Sequence, residues 1–194
     1  MNNIESNTSK DKSLKTKKLI LAGIFAALTA VCSWININLF FTPVPINLAL
    51  IGPYMAGLLL GSRYGLMSQV IYILLGAIGL PVFAGFTGGL EKLVGPTGGF
   101  IAGYAVCAVI CGLQSKKLSS VSKAGGILGN VLLMLCGLAC CYGLGLIWYM
   151  IVTKSSLWAG FLACIFPFLP GDAVKIAAVA LLVRKLPVRD LRNL

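Results

Sequence analysis

Between Leu157 and the basic boundary at Arg184 the chain is apolar except for one acid and one base, Asp172 and Lys175, in the stretch FLPGDAVK from Phe168 to Lys175. A run this long is enough to cross a hydrocarbon core of about 30 Å, which takes roughly 20 residues of helix. In lipid the backbone must satisfy its own hydrogen bonds, so the segment is expected to be helical. A charged side chain at such depth costs from about 2.5 kcal/mol on insertion scales to more than 10 in simulations. Residues of this kind usually face the protein interior and mark a ligand or ion path. Three residues apart, Asp172 and Lys175 share one helix face, and they are the candidate site. The alternative is an internal ion pair that only locks this helix against its neighbours.

Pro170 and Gly171 break the segment, and proline favours the first position of a new helix. Asp172 then falls in a first turn, where unpaired backbone N–H groups and the positive end of the helix dipole favour a carboxylate. With the cytoplasmic boundary near Arg184, the twelve residues back to Asp172 rise about 18 Å at 1.5 Å each. The carboxylate therefore sits in the outer half of the bilayer, and its ligand arrives from outside.

The rest of the chain has the same character. Of its 194 residues 58% are hydrophobic and 11% charged, and the mean hydropathy is +0.94, which no ordinary soluble domain shows. About six helices of membrane length fit, as one all-α integral membrane bundle with no separate soluble domain. The net charge of +11 marks topology rather than nucleic-acid binding. Basic residues gather at Lys10 to Lys18, at Arg63, at Lys116, Lys117 and Lys123, and from Arg184 to Arg192, while the intervening loops hold only Lys92 and Lys154. The positive-inside rule gives six spans with both termini in the cytoplasm. The seven cysteines form no CxxC and there is no histidine, so disulfide and zinc chemistry are not expected. The cysteines read as small buried hydrophobes.

In chain order, residues 1–17 read as a disordered basic cytoplasmic tail in contact with membrane lipid, and residues 18–194 as the membrane domain. The first span, Lys18 to Ile35, carries Ala22, Ala26 and Ala30 at steps of four beside Gly23 and Ala27, a small-residue stripe suited to close helix packing within the chain or against another subunit. An uncharged link with two prolines, Asn36 to Asn47, reads as a rigid cap. The second and third spans, Leu48 to Gly61 and Tyr64 to Leu80, meet in a turn at Ser62 and Arg63. From Leu80 to Gly99 six glycines and two prolines surround Phe83 and Phe86, the composition of a loop that folds over a site as a lid. Its GPTGG lacks the phosphate-loop pattern. Phe100 to Leu113 and Gly125 to Val152 are the fourth and fifth spans. On the fifth, Tyr142 lies deeper than Trp148 and Tyr149 and within reach of a pocket.

Five motifs in order, TPVPI at Thr42 to Ile46, AGLLLGSRYG at Ala56 to Gly65, LLGAIGLPVFAGFTGG at Leu74 to Gly89, GPTGG at Gly95 to Gly99 and PGDAVK at Pro170 to Lys175, together resemble the BioY family over nearly the whole chain after the tail. Members of that family are biotin-specific substrate-capture subunits of energy-coupling factor transporters. The resemblance implies a six-helix membrane fold, a biotin pocket near the outer surface of a bacterial or archaeal cytoplasmic membrane, and partnership with a transmembrane coupling protein and two cytosolic ATPases. It also implies docking on the coupling protein through Ala22, Ala26 and Ala30. No enzyme activity and no cofactor are expected.

Biotin offers two ureido N–H donors, a strong carbonyl acceptor, an apolar bicycle and a carboxylate tail. Asp172 suits the N–H groups and Lys175 the carbonyl, through charge-assisted bonds, while Phe83 and Phe86 suit the rings. For the tail the candidates are Lys92 and the backbone N–H groups of Thr87, Gly88 and Gly89. With no Walker motif in the chain, energy must come from partner ATPases. Two other readings stay open. An intramembrane enzyme using Asp172 lacks a histidine, a metal cluster or a second carboxylate among the spans. A stand-alone proton-coupled transporter would use the same pair, but no inverted repeat favours it.

Overall fold

In the computed structural model the described residues are 2–38, 40, 42–113 and 123–186. They form a helical bundle with one small antiparallel ribbon. Lys116, Lys117, Arg189 and Arg192 of the charge pattern lie outside the described residues.

Helix α1 (Asn2–Trp34) reaches back through the tail that its polarity marked as disordered. Extending an existing helix adds one hydrogen bond per residue fixed, whereas starting one is costly, and the apolar part of α1 supplies the start. After α1 the expected cap closes as a ribbon, β1 (Asn36–Ile37) against β2 (Ile46–Asn47), with Asn36 opposite Asn47 and Ile37 opposite Ile46. Leu48 then returns its N–H to the carbonyls of Cys32 and Ile35 at 3.2 and 3.3 Å, capping the C-terminal end of α1.

Helix α2 (Ile51–Leu60) is buried along almost its whole length. An all-apolar helix belongs in an interior, and α1, the helices Ser62–Ala77 and Gly98–Gly112 and the last helix of the chain pack around it. A Cβ on Gly52 would overlap the Thr29 side chain, so α1 and α2 approach to the distance that only small residues allow in membranes. The turn expected at Ser62 and Arg63 falls instead on Gly61, at φ +84°, and Ser62 opens α3 (Ser62–Ala77). Thr29, Ser68 and Gln69 form a buried polar link between α1 and α3, with Gln69 Nε2 donating to Thr29 Oγ1 at 3.2 Å and to Ser68 Oγ at 3.0 Å.

The glycine-rich segment holds one short helix, α4 (Leu90–Val94). Helix α5 (Gly98–Gly112) takes both glycines of the GPTGG end into its first turn and packs closely on α6 (Lys123–Thr153). The last apolar segment, expected to break at Pro170, also breaks earlier. Helix α7 (Leu157–Cys164) ends before a 3-10 turn at Phe166–Phe168 that contains Pro167, and α8 (Leu169–Lys185) follows with Pro170 in its first turn. Asp172 also lies in that first turn, as expected.

Among the described residues, three stretches are long and apolar enough to cross a bilayer, Leu14–Trp34, Gly126–Thr153 and Leu157–Lys185. α2 spans only about 15 Å at 1.5 Å per residue, half a hydrocarbon core. Leu19, Ile24, Leu132, Ile147 and Leu181 are exposed, an apolar outer surface of the kind that lipid covers. Two expectations change here. Ala22, Ala26 and Ala30 are buried inside the chain on the face of α1 that carries Thr29, so their small size serves internal packing. The outward face carries Ile20, Ile24, Ala27 and Val31, with open space beside Gly23. Cys136 and Cys140 are likewise exposed rather than buried, because α6 turns that face outward, where a thiol behaves as an apolar group.

Candidate functional site

Helix α8 places Asp172 and Lys175 one turn apart, almost wholly withdrawn from solvent at 1% and 4% exposure. Lys175 Nζ stands 2.7 Å from Asp172 Oδ1, and the Tyr142 hydroxyl, brought by α6, donates to Asp172 Oδ2. Each carboxylate oxygen thus holds one donor and keeps a further lone-pair position. All three side chains line a cavity of about 320 Å³, at the lower end of the range for small-molecule sites.

The other walls come from α1, the ribbon, α3, the loop after it, α4 and α5. Tyr72 of α3, Phe100 and Tyr104 of α5 and Phe83 of the following loop supply aromatic surface, and Pro43, Val44 and Asn47 of the ribbon close one side. Phe83 meets Tyr72 edge to face at 5.4 Å and 77°. It fits because Gly76 leaves room: a Cβ there would overlap the Phe83 ring. The Tyr72 hydroxyl donates to Ser33 Oγ at 3.3 Å, so a polar edge runs along α1 as well. Lys92, half-buried on α4, also lines the cavity. Its ammonium has no acidic partner within 4.0 Å among the described residues.

Of the residues expected at the site, Asp172, Lys175, Tyr142, Phe83, Thr87 and Lys92 line the cavity. Phe86, Gly88 and Gly89 do not. Phe86, at φ +56°, is turned outward, 64% exposed, and stacks on Trp34 with ring centroids 4.9 Å apart. A positive φ in a bulky residue costs about 1–3 kcal/mol, and it is what sends Phe86 away from Phe83. Gly88 packs against the Leu80 carbonyl. Gly89 donates its N–H to Gly76 O at 2.7 Å, so it has none to offer an anion. The sequence reading missed Tyr72, Tyr104, Ser33 and Asn47. The only available signal was that tyrosine and serine at mid-span need a partner for the hydroxyl. It also missed Tyr54 of α2, fully buried, whose hydroxyl has no hydrogen-bond partner among the described residues.

A buried ion pair joined by a tyrosine hydroxyl on the wall of an aromatic cavity, inside a bundle with an apolar exterior, defines a membrane protein that captures a small polar solute. The chain belongs to the BioY family, whose model matches residues 6–190. It is 37% identical over 175 residues to the biotin transporter BioY of Thermotoga maritima, covering 88% of this chain and 95% of that one. It is 34% identical to a probable biotin transporter BioY of Pyrococcus horikoshii, covering 89% and 98%. A crystal structure of the S-component for biotin from an ECF-type ABC transporter superposes with a TM-score of 0.77 at 30% identity, covering 88% of this chain and 90% of that one.

Proposed function

We propose that this chain is the biotin-binding S-component of an energy-coupling factor transporter, a membrane transport protein that does no chemistry on its ligand. The observation that carries the reading is the Asp172–Lys175 pair held at 2.7 Å at the cavity with Tyr142. Free lone-pair positions on Asp172 accept the ureido N–H groups, and Lys175 donates to the ureido carbonyl. Phe83, Tyr72 and Tyr104 pack on the bicycle. Lys92, which lines the same cavity and has no acidic partner among the described residues, takes the carboxylate.

The topology that fits the charge pattern has six spans, both termini in the cytoplasm of a bacterium or archaeon, and residues 1–17 as a basic tail before the membrane domain. Energy comes from a transmembrane coupling protein and two cytosolic ATPases, on which the loaded bundle reorients to open inward. With Ala22, Ala26 and Ala30 buried in the chain, docking falls to the Gly23 and Ala27 face of α1. Isothermal titration of the purified chain against biotin, thiamine and riboflavin tests the reading. Binding of biotin alone is expected; equal binding of either other vitamin, or none of biotin, overturns it.

A further inference from the structure

The segment between α3 and α5, which brings Phe83, Thr87 and Lys92 to the cavity, is fastened by side chains from two other helices. Trp34, the last residue of α1, donates its indole N–H to Pro81 O at 2.7 Å and stacks on Phe86 with planes 22° apart. Trp148 of α6 donates its indole N–H to Gly95 O at 3.0 Å. Both distances are those of well-formed N–H···O bonds. We infer that Trp34 and Trp148 are positioning residues for the ligand cavity, clamping the two ends of the strap 81–95, and that the Trp34 end is the one that releases when ligand exchanges. The inference rests on the biotin-binding reading.

The two ends differ in how firmly they are built. Around Trp148 the packing leaves no slack: a Cβ on Gly99 would overlap the Trp148 side chain. Gly95 donates to Glu91 O at 2.8 Å, and Thr97 Oγ1 to Lys92 O at 3.2 Å. Around Trp34 the strap is held by less. Gly85 has open space about it, and Phe86 is exposed in the left-handed region. Beyond these the loop is braced by its own hydrogen bonds, Phe83 N–H to Thr87 O at 2.9 Å and Thr87 Oγ1 to Ala84 O at 2.9 Å. Residues 81–88 therefore move as one flap hinged at Gly89, whose N–H stays on Gly76 O. Lifting that flap withdraws Phe83 from Tyr72 and opens the cavity wall.

Tryptophans at a membrane interface ordinarily form an anchoring belt, and the third one supplies the control. Trp158 of α7 is 67% exposed, stacks on Phe161 at 5.9 Å and makes no hydrogen bond or ring contact with the strap among the described residues. The test measures association and dissociation of radiolabelled biotin on the purified full chain in nanodiscs, for wild type, Trp34→Phe, Phe86→Ala and Trp158→Phe. Phe86 is exposed, so its replacement leaves the core intact. Loss of one hydrogen bond or one stacked pair is expected to speed both association and dissociation about five-fold to ten-fold, with little change in Kd. Trp158→Phe is expected to match wild type. Faster dissociation with unchanged association indicates a merely displaced wall and overturns the clamp, as do wild-type rates in both variants or equal acceleration in Trp158→Phe. A wild-type chain that fails to bind biotin removes the biotin reading and the clamp together.

Discussion

Lys175 Nζ meets Asp172 Oδ1 at 2.7 Å, one helical turn away and with both side chains buried. Two consequences separate stability from binding. Lys175→Ala leaves an uncompensated buried carboxylate and is expected to lose about 3–5 kcal/mol of stability. The double variant Asp172→Asn/Lys175→Met removes both charges and is expected to regain most of that stability. It also loses two charge-assisted bonds to ligand of about 1.5–3 kcal/mol each, so biotin affinity should fall about a hundred-fold or more. Thermal unfolding and isothermal titration on the same samples check both. A double variant with wild-type affinity would make the pair structural only.

The Tyr54 hydroxyl is fully buried with no partner among the described residues. An unpaired buried donor carries a desolvation penalty of about 1–3 kcal/mol, and replacing it by hydrogen leaves the ring packing in place. Tyr54→Phe is therefore expected to raise stability by about 1 kcal/mol and leave biotin affinity unchanged. Titration would show a drop in affinity if the hydroxyl finds its partner only in the loaded protein.

Gly76 and Phe83 are complementary, the absent side chain of one making the space for the ring of the other. Phe83 is buried at 3% exposure, so while the flap is closed a methyl group at Gly76 displaces the ring toward the cavity. Gly76→Ala is expected to push the ring into the cavity and weaken biotin binding about ten-fold, an effect of about 1.4 kcal/mol. Titration of Gly76→Ala and of Gly76→Ala/Phe83→Leu checks this, the smaller side chain restoring part of the affinity.

What could be read in advance follows from how strongly each residue conflicts with lipid. Asp172 and Lys175 stood out because a charge in hydrocarbon demands a reason, and the Pro170 start of α8 followed from proline chemistry. Tyr72 and Tyr104 did not stand out, since an aromatic residue suits a span whether or not it faces a cavity. Phe86 was misplaced because its neighbour Phe83 is only three residues away, and one positive φ reverses where a ring points. The alanine stripe showed that some helix must come close. Spacing alone does not say whether that helix is α2 of the same chain or one of a partner.

Ala26 and Ala27 put that last distinction within reach of experiment, because adjacent residues point about 100° apart on a helix. Ala26 is buried at 2% exposure, whereas Ala27 is exposed on the outward face. Ala26→Leu overfills the α1 packing and is expected to lose about 1–3 kcal/mol of stability, with weaker biotin binding by the isolated chain. Ala27→Leu is expected to keep wild-type stability and biotin affinity, because its side chain is exposed on the outward face. If the Gly23 and Ala27 face is where the coupling protein docks, the same variant should lose co-purification with that protein and ATP-driven biotin uptake, since an isobutyl group blocks the close approach that small residues permit. Full uptake by Ala27→Leu, with the coupling protein still bound, would place the docking surface elsewhere on the bundle.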